Sequence, residues 1–289
     1  MRLSAVDKAQ LERVQRAIKK QELTWHAGPT PIGRKFDPSL SRRFGYAKKG
    51  REPSGGRGRP SRQTFAFQAA APPKKVDWRN VGRNSDWTTP VRDQGTCGSC
   101  VSFATCAVLE SRMKIGEKDP NLEIDLSEAH LFFCGAGEYG CEEGWSTGQA
   151  LKFCREQGVG SATAFRYQPQ QVGCRPIDPL VRVPRWRRVS DHPQERREAL
   201  FRRGPVIGAM VVYSDFLWYQ WGVYRPTTAE IVGYHAIAVI GYDDDTGSWL
   251  VKNSWGAAWG QGGFANIGYG CCGLDAQYEF YDPEVEWWV

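Results

Sequence analysis

Residues 94–100 read Gln-Gly-Thr-Cys-Gly-Ser-Cys, and a helix-like run follows from Cys100 to about Lys114, where Gly116 is expected to stop it. A thiol at a helix N-terminus feels the positive end of the macrodipole and unpaired backbone N–H groups. Both favour the thiolate, which is the nucleophilic form. Such a nucleophile needs a proton shuttle in hydrogen-bond reach and a group that orients the shuttle. The chain holds four histidines, His26, His130, His192 and His235. His235 stands apart because it starts the apolar run HAIAVIGY, and Asn253 follows 18 residues later in KNSWG. A hairpin of that length brings the two side chains together. His130 and His192 have no motif around them and read as solvated or structural, and His26 reads as incidental.

Working outward, Leu126-Ser127 opens a short helix through Phe133 with Ser127 as N-cap, and a third helix is expected over 145–157, ended by Gly158. Beyond these the pattern changes. Residues 205–212, 235–242, 248–252, 263–267 and 278–281 are short, β-branched or aromatic, and separated by Gly, Asp or Asn turns, as antiparallel strands are. Helices first and strands later imply an α+β arrangement in two lobes. Upstream, residues 5–20 place Leu11, Val14 and Ile18 on one face of an amphipathic helix, and 28–73 gather Pro, Gly, Arg and Lys as a linker does. The composition shifts abruptly at 76–80 (VDWRN).

The formal charge of +6 conceals an asymmetry: residues 1–76 carry 18 basic and 5 acidic side chains, and the rest carries 20 basic and 27 acidic. A detachable basic segment beside an acidic globule is expected, without nucleic acid as partner. The basic run 182–188 with Arg196, Arg197, Arg202 and Arg203 reads as a solvated face. No apolar run reaches the length of a membrane span, and the opening residues lack the apolar core of a secretory signal. Nine cysteines nevertheless suit an oxidising compartment, and an odd count leaves one thiol unpaired.

From residue 76 to about 283 the chain resembles the papain-like cysteine peptidases. QGTCGSC, LSEAHLFFC, GCEEGW, RRGPV, YHAIAVIGY and VKNSWGAAWGQGGF stand in family order. CGSC with His and Asn some 130–150 residues downstream is the long-established signature of papain and the cathepsins, not a deduction made from this chain. The resemblance implies Cys100 as nucleophile, His235 as general acid and base, and Asn253 holding the imidazole. Gln94 would donate to the oxyanion hole with the Cys100 N–H, and Trp255 would shield the His–Asn bond. It also implies bridges Cys97–Cys141 and Cys134–Cys174. For the other cysteines two pairings stay open, Cys106 with Cys154 and a strained vicinal Cys271–Cys272. Gly144 would contact substrate backbone, and Trp145, Ala209, Gly233, Ala236 and Gln277 would line a pocket for a medium or large apolar side chain. Two departures stand out: Val101 where the family has Trp, and Glu143 where it has Gly, with a carboxylate expected in the path of substrate.

The implied organisation is an inhibitory prosegment over 1–75, within which TWHAGPTP (24–31) resembles a short W-x-A-G stretch of cathepsin B-like and bacterial propeptides. A peptidase domain would follow over 76–289, with a helical lobe at about 88–185 and an antiparallel, β-barrel-like lobe at about 186–283 plus 76–87. The implied enzyme is a monomeric endopeptidase acting on proteins or peptides without cofactor, metal or membrane. It would mature by cleavage between about Gly50 and Lys75 at mildly acidic pH, in a secreted, periplasmic or lysosome-like compartment. Two alternatives stand beside it: a disulfide oxidoreductase using Cys97 and Cys100, and a catalytically inactive peptide-binding relative. The terminal EVEWWV (284–289) has no assigned place.

Overall fold

The computed structural model describes residues 3–34, 44–46, 71–82, 85–275 and 277–288. Helix α1 (Ala5–Lys20) starts on Ser4, whose hydroxyl accepts from the Asp7 N–H while the Asp7 carboxylate accepts from the Ser4 N–H. Its apolar face buries Leu11, Val14 and Ile18.

Helix α2 (Cys100–Glu117) is the buried axis of the molecule. It does not stop at Gly116 as expected. It ends on Lys118, a left-handed residue at φ 58°, and Gly116 lies inside it for a packing reason. A Cβ on Gly116 would stand 2.1 Å from the Trp287 ring. The ring's Nε1 donates to Glu117 Oε1 at 2.5 Å, and Glu286–Trp287 pairs with Val181–Arg182, so the terminal cluster closes onto the helical lobe. The π-helical turn His130–Cys134 is capped by Ser127, whose Oγ accepts the His130 N–H at 2.9 Å. Helix α3 (Thr147–Glu156) begins on a Ser146–Gln149 capping box and is followed by Gly158 at φ +78°.

The second lobe is a largely antiparallel sheet in the order Trp186–Val189, Phe280–Pro283, Val206–Tyr213, Ile231–Asp243, Ser248–Lys252, Phe264–Gly268, Val223–Tyr224. Lys75–Asp77 adds to Ile231–Asp243. The outermost strands do not pair with each other, so the sheet is open and not a barrel. The strand expected at 278–281 lies at Phe280–Pro283 instead. The strand expected to start at His235 begins at Ile231, and its buried part does start at His235; the strand packs on α2.

The basic run is a solvated face in part: Arg182, Arg185, Arg187 and Arg188 are exposed as expected, but Arg196 is buried. Residues 193–203, which carry four arginines, form helix α4 (Pro193–Arg203). Arg196 is 1% exposed and donates to the carbonyls of Ser190, Leu274 and Tyr278. Arg187 and Arg203, with Arg112 of α2, converge on the buried Asp282. A guanidinium fork satisfied by carbonyls and a carboxylate is buried without an unpaired charge. Bridges join Cys97 to Cys141 and Cys134 to Cys174. Neither pairing left open is made: Cys106 and Cys154 are buried free thiols, and Cys271 and Cys272 are also free, Cys272 holding a left-handed φ of 58°.

Candidate active site

The loop before α2 is clamped on every side. The Gln94 N–H donates to Ser254 O at 2.9 Å, its Nε2 to Cys97 O at 2.8 Å, and its Oε1 accepts from Ser254 Oγ at 2.6 Å. Tyr167 OH donates to Gln94 O, and the Gly98 N–H to Cys141 O, both at 2.8 Å. The Cys97–Cys141 bridge closes the same loop. Cys97 is thus bridged to Cys141 and not to Cys100, so the Cys97–Cys100 pair on which the oxidoreductase reading rests is not formed.

Cys100 stands at the first position of α2 and is fully buried. The Ala236 N–H donates to its Sγ at 3.4 Å. Burial pushes the thiol up to about 11, outweighing the N–H groups of Ala236, Gly45 and Val101 that pull the other way. The helix terminus alone therefore does not yield a thiolate here.

Sheet register delivers the other two side chains. His235 pairs with Met210, Ala236 with Ala209, and Lys252, which precedes Asn253, pairs with Ala238. His235 Nε2 and Asn253 Oδ1 lie 2.7 Å apart. The Ser254 N–H donates to that same oxygen at 2.8 Å, which fixes the amide end facing the ring and makes Nε2 the donor. Trp255 covers the pair with its ring centroid 4.9 Å from that of His235, and is 1% exposed.

The cleft above these residues is filled by Phe44, Gly45 and Tyr46. The Trp145 N–H donates to Gly45 O at 2.8 Å and the Tyr46 N–H to Tyr234 O at 3.3 Å, both as parallel bridges. Phe44 sets its ring edge-on to His235 and Trp255. No side chain fits at the crossing point: a Cβ on Gly45 would meet Gly98 O at 1.7 Å, and one on Gly144 would meet Gly45 O at 1.8 Å. A Cβ on Gly233 would run into Phe44. Upstream, Trp25 is buried edge-on to Tyr224, the Gly28 N–H donates to Trp218 O at 2.9 Å, and Thr30 Oγ1 donates to Leu217 O at 2.5 Å. His26, read as incidental, stacks its ring on Trp221 with centroids 3.4 Å apart. Residues 47–70, which hold most of the expected cleavage region, lie outside the described residues.

Trp145 and Gly233 border this segment, and Ala209 pairs with Ala236, whose N–H meets Cys100, whereas Gln277 is exposed. The ring that meets Tyr46 is the neighbouring Tyr278, 5.9 Å away edge-on, with Tyr234 beside it. Sequence reading missed both tyrosines, although alternation along 278–281 places Tyr278 and Phe280 on one face. Glu143 does not project into the path of substrate: its carboxylate turns back to accept the Gly140 N–H at 3.0 Å. Val101 is fully buried. Among the described residues no His, Cys, Asp and Glu grouping suits a metal.

The sequence model for "Papain family cysteine protease" matches residues 72–280. The chain is similar to ananain of Ananas comosus, 32% identical over 213 residues that cover 70% of this chain and 59% of that protein. It is also similar to cathepsin K of Gallus gallus, 33% identical over 201 residues covering 66% and 58%. It thus spans under two thirds of the length of these relatives. Among solved structures, a Carica candamarcensis cysteine protease bound to E-64 is 31% identical, with a TM-score of 0.61 over 73% of this chain and 98% of that one. Procathepsin L2 from Tenebrio molitor larval midgut, at 22% identity, shares the fold with a TM-score of 0.79 over 98% and 95%.

Proposed function

The chain belongs to the papain family of cysteine proteases, and from that premise we propose that it is an endopeptidase made as a zymogen, with residues 1–75 as prosegment and 76–289 as peptidase domain. Cys100 Sγ, as thiolate beside a protonated His235, bonds to the carbonyl carbon of the scissile peptide. The displaced electron pair moves onto oxygen, which the Cys100 N–H and the Gln94 amide receive. Collapse breaks the C–N bond while His235 gives its proton to the leaving amine. A water deprotonated by His235 then attacks the thioester, and the acid leaves as thiol and imidazole are restored. Asn253 keeps the ring in plane for both transfers.

One observation carries this reading: Phe44–Tyr46 lies across Cys100, His235 and Trp255 with backbone bonds to both walls of the cleft. A segment so placed excludes substrate and desolvates the thiol. Nucleophilicity should therefore rise when it leaves. The Tyr46 ring over Tyr278 also supports an apolar, and especially an aromatic, side chain at the second position before the scissile bond. Two bridges support an oxidising compartment, secreted or lysosome-like, and the enzyme acts as a single chain.

The test is covalent labelling by an epoxysuccinyl peptide, followed by mass spectrometry before and after incubation at mildly acidic pH. Wild type should label at Cys100 only after shortening, and Cys100→Ala should neither label nor shorten itself. Equal shortening of both proteins would assign maturation to another protease, and an unlabelled, shortened wild type would overturn the peptidase reading.

A further inference from the structure

The two groups that receive the oxyanion, the Gln94 amide and the Cys100 N–H, stand at the two ends of residues 94–100, and one side chain from outside that loop ties both ends together. Tyr167 lies 73 residues beyond Gln94, outside helix and strand. Its ring stands edge-on to Phe103 of α2, with centroids 4.7 Å apart, and stacks with Phe133 at 6.1 Å. The hydroxyl so held makes two bonds. It donates to the Gln94 carbonyl at 2.8 Å and lies 2.7 Å from Ser99 Oγ. A carbonyl only accepts, so the single phenol proton goes to Gln94 and the Ser99 hydroxyl donates to the phenol oxygen. Burial raises the phenol well above its ordinary range, which keeps that proton in place.

Ser99 supplies an independent sign that this bond matters. It occupies the N-cap position of α2, where a serine hydroxyl ordinarily accepts an N–H of the first turn. Here it makes no such bond, and its backbone, at φ −91° and ψ 13°, is not the extended one of a capping residue. With the hydroxyl directed to Tyr167, the N–H groups of Cys100 and Val101 act on the Cys100 sulfur instead of on a cap. The same segment presses on the loop a second time. Pro169 covers Gly95, a left-handed residue at φ 62° whose Cβ would stand 2.2 Å from the proline Cβ, and the Pro169 carbonyl accepts from Thr96 Oγ1 at 3.3 Å. On the opposite side Ser254 Oγ holds the Gln94 side chain.

We infer that Tyr167 is a positioning residue for the oxyanion hole: its phenol oxygen fixes the Gln94 backbone relative to the residue that opens α2, so that the Gln94 amide and the Cys100 N–H converge on one point. That role rests on the Cys100 peptidase chemistry proposed above. It bears on the step in which charge collects on the carbonyl oxygen. Alkylation of Cys100 by iodoacetamide has no such step, because the sulfur bonds to a methylene carbon as iodide leaves. Peptide hydrolysis therefore needs the alignment and alkylation does not.

The experiment compares wild type, Tyr167→Phe, Ser99→Ala, Gln94→Ala and the double variant Tyr167→Phe with Gln94→Ala. Each is the full chain activated by limited acid processing, with active enzyme counted by epoxysuccinyl labelling of Cys100. kcat and KM on a peptide substrate are measured beside the rate of alkylation by iodoacetamide. Tyr167→Phe keeps the ring and should lower kcat about tenfold, less than the roughly 10²–10³ of deleting an oxyanion donor, while KM and the alkylation rate stay within about twofold of wild type. Ser99→Ala should lower kcat by a smaller factor with the same pattern. In the Gln94→Ala background, Tyr167→Phe should cost well under about tenfold, because the two residues act as a unit. A Tyr167→Phe kcat within about twofold of wild type, a parallel fall in alkylation, or full additivity with Gln94→Ala would overturn the role of Tyr167 alone. A wild type that is alkylated at Cys100 yet leaves peptides uncut would overturn the peptidase reading instead.

Discussion

Two buried charge clusters connect α2 to the sheet, and they are built on opposite terms. Around Asp282, three guanidiniums meet one carboxylate, and Arg112 also donates to the carbonyls of Pro205 and Gly204, so the deep positions are satisfied from both sides. Around a cavity of about 20 Å³ between α2 and the strands of His235 and Asn253, Glu110 and Lys252 share the Thr89 hydroxyl and Glu128 has no donor from another residue among those described. A closed cluster holds the lobes together, and an open one stays responsive to protons. The second shares its cavity with Asn253 and the first does not.

The largest effect should come from breaking the closed cluster. Asp282→Asn leaves buried arginines without their counter-charge and should cost about 3–5 kcal/mol in urea unfolding of the full chain. A loss below about 1 kcal/mol would show that water reaches the site. Next in size is the pH dependence of stability, where the two clusters should slope in opposite directions. Burial by itself would raise Asp282, but Arg112, Arg203 and Arg187 more than offset it and hold the carboxyl below the ordinary range. Its contribution is thus present above the unfolded value of about 3.9 and is lost as pH falls through the lower folded value. Glu128 is raised by burial and by Glu110, so its contribution is full below the unfolded value of about 4.3 and is lost as pH rises toward about 8. Melting temperatures against pH should lose the acid slope in Asp282→Asn and the neutral slope in Glu128→Gln. The smallest effect belongs to the rim: Arg187 is 43% exposed, and Arg187→Ala should cost under about 1 kcal/mol in the same urea assay.

Local signals carried most of what was legible in the sequence. Ser127 and Gly158 sit at helix ends where cap chemistry places them, because a cap is satisfied by backbone groups a few residues away. Cys100, His235 and Asn253 were readable because their spacing and flanking motifs are those of a known family. What escaped depended on partners distant in the chain. Arg196 is buried by carbonyls of Leu274 and Tyr278, 78 and 82 residues on, and nothing in PQERREALFRR announces them. Glu143 was misplaced for the opposite reason, since a bond three residues back turns its carboxylate away from the cleft. The helix terminus at Cys100 suggested a thiolate, but burial beneath Gly45 could only be seen once residues far apart in sequence were brought together.

Gly116 inverts a common rule of protein engineering. Alanine in place of a glycine within a helix ordinarily adds up to about 1 kcal/mol of stability, which makes such glycines early targets in thermostabilisation. Here the missing methyl is a socket. Its occupant, Trp287, belongs to the strand that ties the C-terminal residues to Val181–Arg182. A substitution that improves the helix in isolation would eject that ring and release the tail, so a library ranked on helix propensity would select against the fold at this position.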